Sequence, residues 1–182
     1  MKKVLLHICC GVCALASLKR LKKEGFYVEG FFYNPNIQPF TEYLKRKETA
    51  LAVHNLNKIN MIEGAYNLKQ WLDICRKYKD EKEGGLRCRR CYELRLKETA
   101  KVCKEKEFDY FTTTLSISPY KRSEAIIEIG EILGKKKFLA VDFKKQEGFK
   151  ETISLAKKHQ FYRQNYCGCI YSKSKLKAKD RK

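Results

Sequence analysis

Val4-Leu5-Leu6-His7-Ile8 runs directly into Cys9-Cys10-Gly11-Val12-Cys13, and the reading of this junction decides the fold. An unbroken apolar run after Lys2-Lys3 reads as a strand buried on both faces, as in parallel sheets covered by helices. Beyond it Leu15, Leu18 and Leu21 share one side of a helix that Gly25 closes. Thiols set between that strand and that helix lie outside the carboxyl end of the sheet, where open parallel sheets bind ligands. The charged, then apolar start superficially resembles a signal peptide. His7 and the cysteines interrupt it and no small-residue cleavage site follows, so it is read as a strand.

The same alternation continues along the chain. Tyr27–Tyr33 reads as a second strand ended by Asn34-Pro35-Asn36, and Thr41–Leu56 as a helix with Leu44, Leu51 and Val53 apolar. Lys58–Glu63 is a short strand, and 67–107 holds two helical stretches parted by Glu83-Gly84-Gly85-Leu86. Phe108–Thr114 is a further strand. Ser118-Pro119 reads as an N-cap and first-turn proline, opening a helix through Ile126, Ile129 and Leu133 to Gly134. Lys137–Phe143 is the last strand. This pattern predicts an α/β, Rossmann-like fold with a mostly parallel sheet. Residues 1–171 form one domain, and 172–182 a Lys-rich mobile tail.

Seven of the nine cysteines fall in tight groups: Cys9, Cys10 and Cys13; Cys88 and Cys91; Cys167 and Cys169. Four thiolates complete one zinc or iron–sulfur site, so seven imply a cluster with something beside it. Cys10-Gly11-Val12-Cys13 also has the form of a thioredoxin-like redox pair, and Cys88 to Cys91 of half a zinc ribbon. Cys75 and Cys103 continue apolar helix faces and read as small core residues. His7 reads as a hydrogen-bonded core residue, and His54 and His159 as surface. Asp142, in Val141-Asp142-Phe143, either caps the following turn or serves as an oxygen ligand or proton relay at the metal site.

Forty basic against 21 acidic residues give a formal charge of +19. Abundant charge alone suits a solvated surface; the imbalance favours a polyanionic partner. Aromatic and basic residues interleave at Tyr120-Lys121-Arg122 and Tyr162-Arg163, the pattern of an RNA face on which bases stack and cations take phosphates. No apolar run reaches membrane-spanning length. Clustered thiols outside a disulfide framework predict a reducing, cytoplasmic location with no membrane partner.

Taken together, His7-Ile8-Cys9-Cys10-Gly11-Val12-Cys13, Phe32-Tyr33-Asn34-Pro35-Asn36-Ile37, Glu83-Gly84-Gly85-Leu86-Arg87-Cys88-Arg89-Arg90-Cys91, Thr114-Leu115-Ser116-Ile117-Ser118-Pro119-Tyr120-Lys121, Val141-Asp142-Phe143 and Tyr162-Arg163-Gln164-Asn165-Tyr166-Cys167-Gly168-Cys169 resemble, in order, the QueH family. These are the cobalamin-independent epoxyqueuosine reductases. The resemblance implies reductive removal of the epoxide oxygen of epoxyqueuosine at the tRNA wobble position, the last step of queuosine synthesis. It implies a domain related to the adenine-nucleotide α-hydrolase folds. It further implies a [4Fe–4S] cluster, an adjacent metal ion, which would be iron, and an external electron donor. The seven clustered cysteines with Asp142 would suffice for both centres, and their division between them is open. Cys10-Gly11-Val12-Cys13 stands where a phosphate-binding S-G-G-x-D loop would lie. Two other readings stay in view: a zinc-stabilised RNA-binding module, and a thiol–disulfide oxidoreductase using Cys10 and Cys13.

Overall fold

Hydrophobic alternation builds the sheet. In β1 (Lys3–His7) Val4 and Leu6 point into one core and Leu5 into the other, all fully buried. The computed structural model describes residues 1–173. β2 (Tyr27–Phe32), β3 (Met61–Glu63) and β4 (Tyr110–Thr113) join β1 in a four-stranded parallel sheet of order β3-β2-β1-β4. One core lies under α1 (Gly11–Lys23), α2 (Phe40–Asn57) and α6 (Gly148–Lys158); the other lies under α4 (Leu86–Glu105) and α5 (Ser123–Gly134). A third, smaller core joins α3 (Leu68–Cys75) to α4 through Trp71, Cys75, Cys91 and Leu94, with Cys169 against them. The sheet order places the crevice between the carboxyl ends of β1 and β4, where the connections diverge to opposite faces.

Four expectations are corrected. Lys137–Phe143 is not a strand: only Phe138 bridges to Phe111, while the Thr112 and Ser116 hydroxyls take the Leu139 and Val141 carbonyls in place of a ladder. The helix expected from Ser118 begins at Ser123, because the Ser118 hydroxyl accepts the Tyr120 N–H and holds a turn. On α2 the buried side carries Tyr43, Arg46, Ala50, Val53 and His54, leaving Leu44 and Leu51 exposed. His54 is therefore core rather than surface. Its Nδ1 bonds the Ala50 carbonyl, and its ring packs so close to Gly30 that a Cβ there would overlap it. The helix α6 also goes beyond the pattern: its N-cap, Glu147, has φ 57° and no capping side chain, so the usual start signal is missing.

Of the tail expected from residue 172, Ser172 is buried and its hydroxyl bonds Glu83 Oε2 at 3.0 Å. Residues 174–182 lie outside the described residues. Cys75 and Cys103 are buried core residues, with thiols facing the carbonyls of Arg87 and Phe108. No helix among the described residues is long and apolar enough to cross a membrane.

Candidate metal centre and substrate cleft

The thiols following β1 meet first. Cys9, Cys10 and Cys13 place their sulfurs within 4.8 Å of one another, and among the described residues no other three metal-ligating groups do so. Cys10 Sγ and Cys13 Sγ share a hydrogen bond, and the Thr114 hydroxyl, arriving from the end of β4, donates to Cys9 Sγ at 3.2 Å. Hydrogen bonds from Cys10 and Cys13, aided by the charges of Lys121 and Arg95, hold the Cys9 thiol well below its usual pKa. The Cys10 bond to Cys13 pulls its own pKa down. Donation to Cys9, burial and the Cys9 charge outweigh that pull and raise Cys10 to about 12.

Cys88, Cys91, Cys167 and Cys169 line a small cavity with Asn36, Trp71, Glu83, Arg87, Arg95 and Lys121. Two sets of hydrogen bonds bring them together, one local and one long-range. Arg87 donates to the carbonyls of Tyr78, Lys79 and Glu81, folding the Gly84-Gly85 loop back so that Cys88 and Cys91 open α4 facing inward. Arg46, buried on α2 and paired with Glu42 at 2.7 Å, donates to the Tyr166 and Cys167 carbonyls and draws the C-terminal segment over the rim. Gly168, with φ 104°, makes the sharp turn between Cys167 and Cys169. A hydrogen bond from Cys169, with the Lys121 charge, lowers Cys167 to about 5, while donation to Cys167 pushes Cys169 up. Burial raises Cys91 against the pull of the Arg95 guanidinium.

A cleft of about 650 Å³ opens from both groups to solvent. Its walls include Cys9 and Cys13, the apolar Val12, Leu115, Phe149 and Ile153, the cations Arg46, Arg95, Lys121 and Arg163, and Cys167. Tyr120, 79% exposed, stands at its mouth. Arg122 is exposed beside it at the N-cap of α5. Lys121, expected on the RNA face with them, turns inward and lines both the cleft and the four-cysteine cavity. Tyr162 lies outside both linings; its hydroxyl donates to Glu42 Oε2 at 2.8 Å and Lys45 lies over its ring. Asp142 is outside both as well. Its carboxylate accepts the Lys144 N–H at 3.0 Å, the turn-capping one of the two roles open to it.

The sequence model of the family described as Epoxyqueuosine reductase QueH matches residues 4–175. The chain belongs to this family. The curated QueH of Thermotoga maritima is 38% identical over 178 residues, covering 94% of this chain and 91% of that protein. QueH of Histophilus somni is 34% identical, over 93% of this chain and 72% of its own. The fold also resembles two solved structures at 14% identity. A predicted tRNA methyltransferase subunit of Methanocaldococcus jannaschii has TM-score 0.58, with 85% of this chain and 76% of that chain covered. The U34-tRNA thiolase NcsA of Methanococcus maripaludis, solved with its [4Fe-4S] cluster, has TM-score 0.55, with 90% and 58% covered. At that identity the likeness is one of fold, and it is the α/β fold expected from the alternation of elements.

Within this QueH chain, the residues that sequence patterning misses are polar and buried. Arg46, Arg87 and Arg95 are each at most 3% exposed, a burial rare for arginine. Gln164 donates to Cys10 Sγ at 2.9 Å, and Arg95 reaches Asn34 Oδ1 at 2.5 Å. The one available signal for them lies in helical spacing. Arg46 falls on the same side of α2 as Tyr43, Ala50 and Val53, and Arg95 lies four residues after Cys91 on α4.

Proposed function

We propose that this chain reduces the epoxide of epoxyqueuosine in tRNA to the alkene of queuosine. In this reading Cys88, Cys91, Cys167 and Cys169 hold a [4Fe–4S] cluster, and Cys9, Cys10 and Cys13 hold a mononuclear iron. The observation that carries it is the division of seven thiols into four around one small cavity and a tighter three, with Cys9, Cys13 and Cys167 lining one cleft between them. The donor sets fit. Three sulfurs within 4.8 Å suit a single ion, and the wider tetrad suits a cubane. Trp71 Nε1 and Arg95 Nε, in the tetrad wall, are buried N–H donors that no oxygen or nitrogen accepts among the described residues, and both side chains turn toward the Cys91 sulfur; cluster sulfurs would supply further acceptors.

When bound, such a cluster supplies electrons singly and an adjacent iron acts as a Lewis acid toward oxygen. The rest falls to the chain's own side chains. Arg163, Tyr120 and Arg122 at the mouth suit an anticodon loop, with cations on phosphates and a ring for a base. Val12, Leu115, Phe149 and Ile153 exclude water from the inner cleft. Gln164 and Thr114 orient the Cys10 and Cys9 sulfurs. Both C–O bonds of the epoxide break, a C=C bond forms, and oxygen leaves as water with two protons. The two electrons come from an external one-electron donor. Nine free cysteines fit the reducing cytoplasm.

The test is metal and sulfide analysis after anaerobic reconstitution, with turnover of epoxyqueuosine-containing tRNA driven by dithionite. About four irons with four sulfides, plus one further iron, are expected. Serine at Cys88, Cys91 or Cys169 should remove the sulfide-bearing cluster. Serine at Cys9 or Cys13 should remove only the extra iron, and either group should lose turnover. Stoichiometric zinc without sulfide would refute the reading.

A further inference from the structure

Four residues line both the tetrad cavity and the cleft: Glu83, Arg95, Lys121 and Cys167. They form the partition between the two thiol groups and the space left for substrate. Two of them are cations. Arg95 is committed, its guanidinium bonded to Asn34 Oδ1. Lys121 is not: among the described residues its ammonium has no hydrogen bond or ion pair to an oxygen, whereas its main chain is pinned on both sides. The Lys121 N–H donates to the Ser118 carbonyl at 3.2 Å, and the Lys121 carbonyl accepts Lys144 Nζ at 2.9 Å. The Ser118–Arg122 turn therefore aims a free cation into the partition from a fixed base.

What faces that cation is sulfur. Cys9, Cys13 and Cys167 line the cleft with it, and Cys167 lines the tetrad cavity with it as well. Cys9 belongs to the triad and Cys167 to the tetrad, so one ammonium serves both. Its neighbours at the turn, Tyr120 and Arg122, point outward, and only Lys121 reaches the inner space. A phosphate contact, the expectation from the basic and aromatic pattern, needs the outward position.

We propose that Lys121 is a catalytic residue rather than a phosphate contact: a fixed cation shared by the two thiol groups that meets the oxygen leaving the substrate's three-membered ring. This rests on the reductase reading for the identity of that oxygen. As the first C–O bond breaks, negative charge gathers on the oxygen, and a preorganised cation in a water-poor cleft stabilises that charge. Lys121 supplies charge alone. The two electrons come from the external donor, and the two protons that complete water come from solvent.

Two variants test this, K121M, which keeps the stem and drops the charge, and K121R, which keeps the charge. Both are reconstituted anaerobically and reduced with dithionite. K121M should lose about 10²- to 10³-fold in kcat, the usual effect of removing one donor at a developing oxyanion, with KM for tRNA nearly unchanged. The reduction potential of the loaded K121M protein should fall, because removing a nearby cation disfavours the more negative reduced state. K121R should keep the wild-type potential and recover most of kcat. Loss of iron from K121M with retention in K121R would also support the shared cation. A K121M protein with normal kcat and potential but weakened tRNA binding would overturn the proposal and return Lys121 to the phosphates. An inactive wild type with a shifted K121M potential would instead leave the cation in place and sink the reductase reading.

Discussion

Arg46 donates to the Cys167 carbonyl at 3.2 Å, joining residues 121 positions apart in the chain. Its second terminal nitrogen takes the Tyr166 carbonyl at 3.0 Å, and its Nε holds Glu42. A planar guanidinium can make all three contacts at once, which a lysine cannot. The C-terminal thiols thus depend on a buried side chain of α2 for their place beside Cys88 and Cys91.

R46M should therefore do more than remove a surface charge. It leaves Glu42 buried without its partner, a loss of about 3–5 kcal/mol for a broken buried pair. Denaturant unfolding should show that loss, and reconstituted protein should bind less iron and sulfide. R46K should rescue stability in part and iron content poorly. Full iron loading in R46M would show that the Cys167 segment is held by other means.

Gly168 and Gly25 provide an internal comparison. Both have positive φ, 104° and 84°, so alanine strains either backbone by about 1–3 kcal/mol. A Cβ at Gly25 meets nothing within 4 Å, whereas one at Gly168 comes to 2.9 Å from Ile37 Cγ1. G168A should lower both thermal stability and cluster content; G25A, between α1 and β2 and away from the thiols, should lower stability alone. Equal effects of the two on iron binding would remove Gly168 from the architecture of the site.

What the chain discloses in advance follows from range. β1 and α1 are set by local periodicity, and Cys9 to Cys13 sit where that periodicity changes, so they are legible from the sequence. The partition of thiols into four and three is not, because it depends on Arg46 and Ser172 closing loops across the fold. The same limit explains Asp142. Its strand was inferred from an apolar run, but hydroxyls of Thr112 and Ser116 capture that run's carbonyls, and the carboxylate turns to Lys144. Aromatic–basic spacing singles out Tyr120 to Arg122, yet cannot tell which of three consecutive side chains turns inward.

His54 gives stability a pH dependence. Burial holds its imidazole below the ordinary 6.5, against the Ala50 carbonyl, and Nε2 has no acceptor beside Gly30. Its folded pKa is depressed, so the unfolded chain binds the proton first as pH falls. The stabilisation is complete above pH 6.5 and is lost as pH drops toward the folded value. Unfolding free energy should fall between pH 6.5 and 5, by up to about 1.4 kcal/mol per pH unit for each such histidine. H54L should remove one proton's share of that slope, leaving the share of buried His7, whose pKa is lowered to about 3 by burial and Arg95. Unchanged slopes would mean that His54 is solvated.

The arrangement of the cleft separates charge from stacking in tRNA binding. With +19 charges and Arg122 and Arg163 exposed at or beside the mouth, affinity should fall steeply with salt. For single-stranded contacts the log–log slope is about −0.7 per phosphate. Alanine at Arg163 or Arg122 should reduce the slope by about one contact each. K121M should not change it, because that side chain lines the inner walls with the thiols rather than the mouth. Tyr120 is free to stack on a base, and its alanine variant should weaken binding by about tenfold or more at every salt concentration, leaving the slope alone. Tyr162 is tied by its hydroxyl to Glu42 and lies off the cleft, so Y162A should weaken binding less than Y120A. Filter binding of the five variants across a salt series reads slope and intercept separately. A Tyr162 effect equal to that of Tyr120, or a binding constant indifferent to salt, would place the RNA on another face of the molecule.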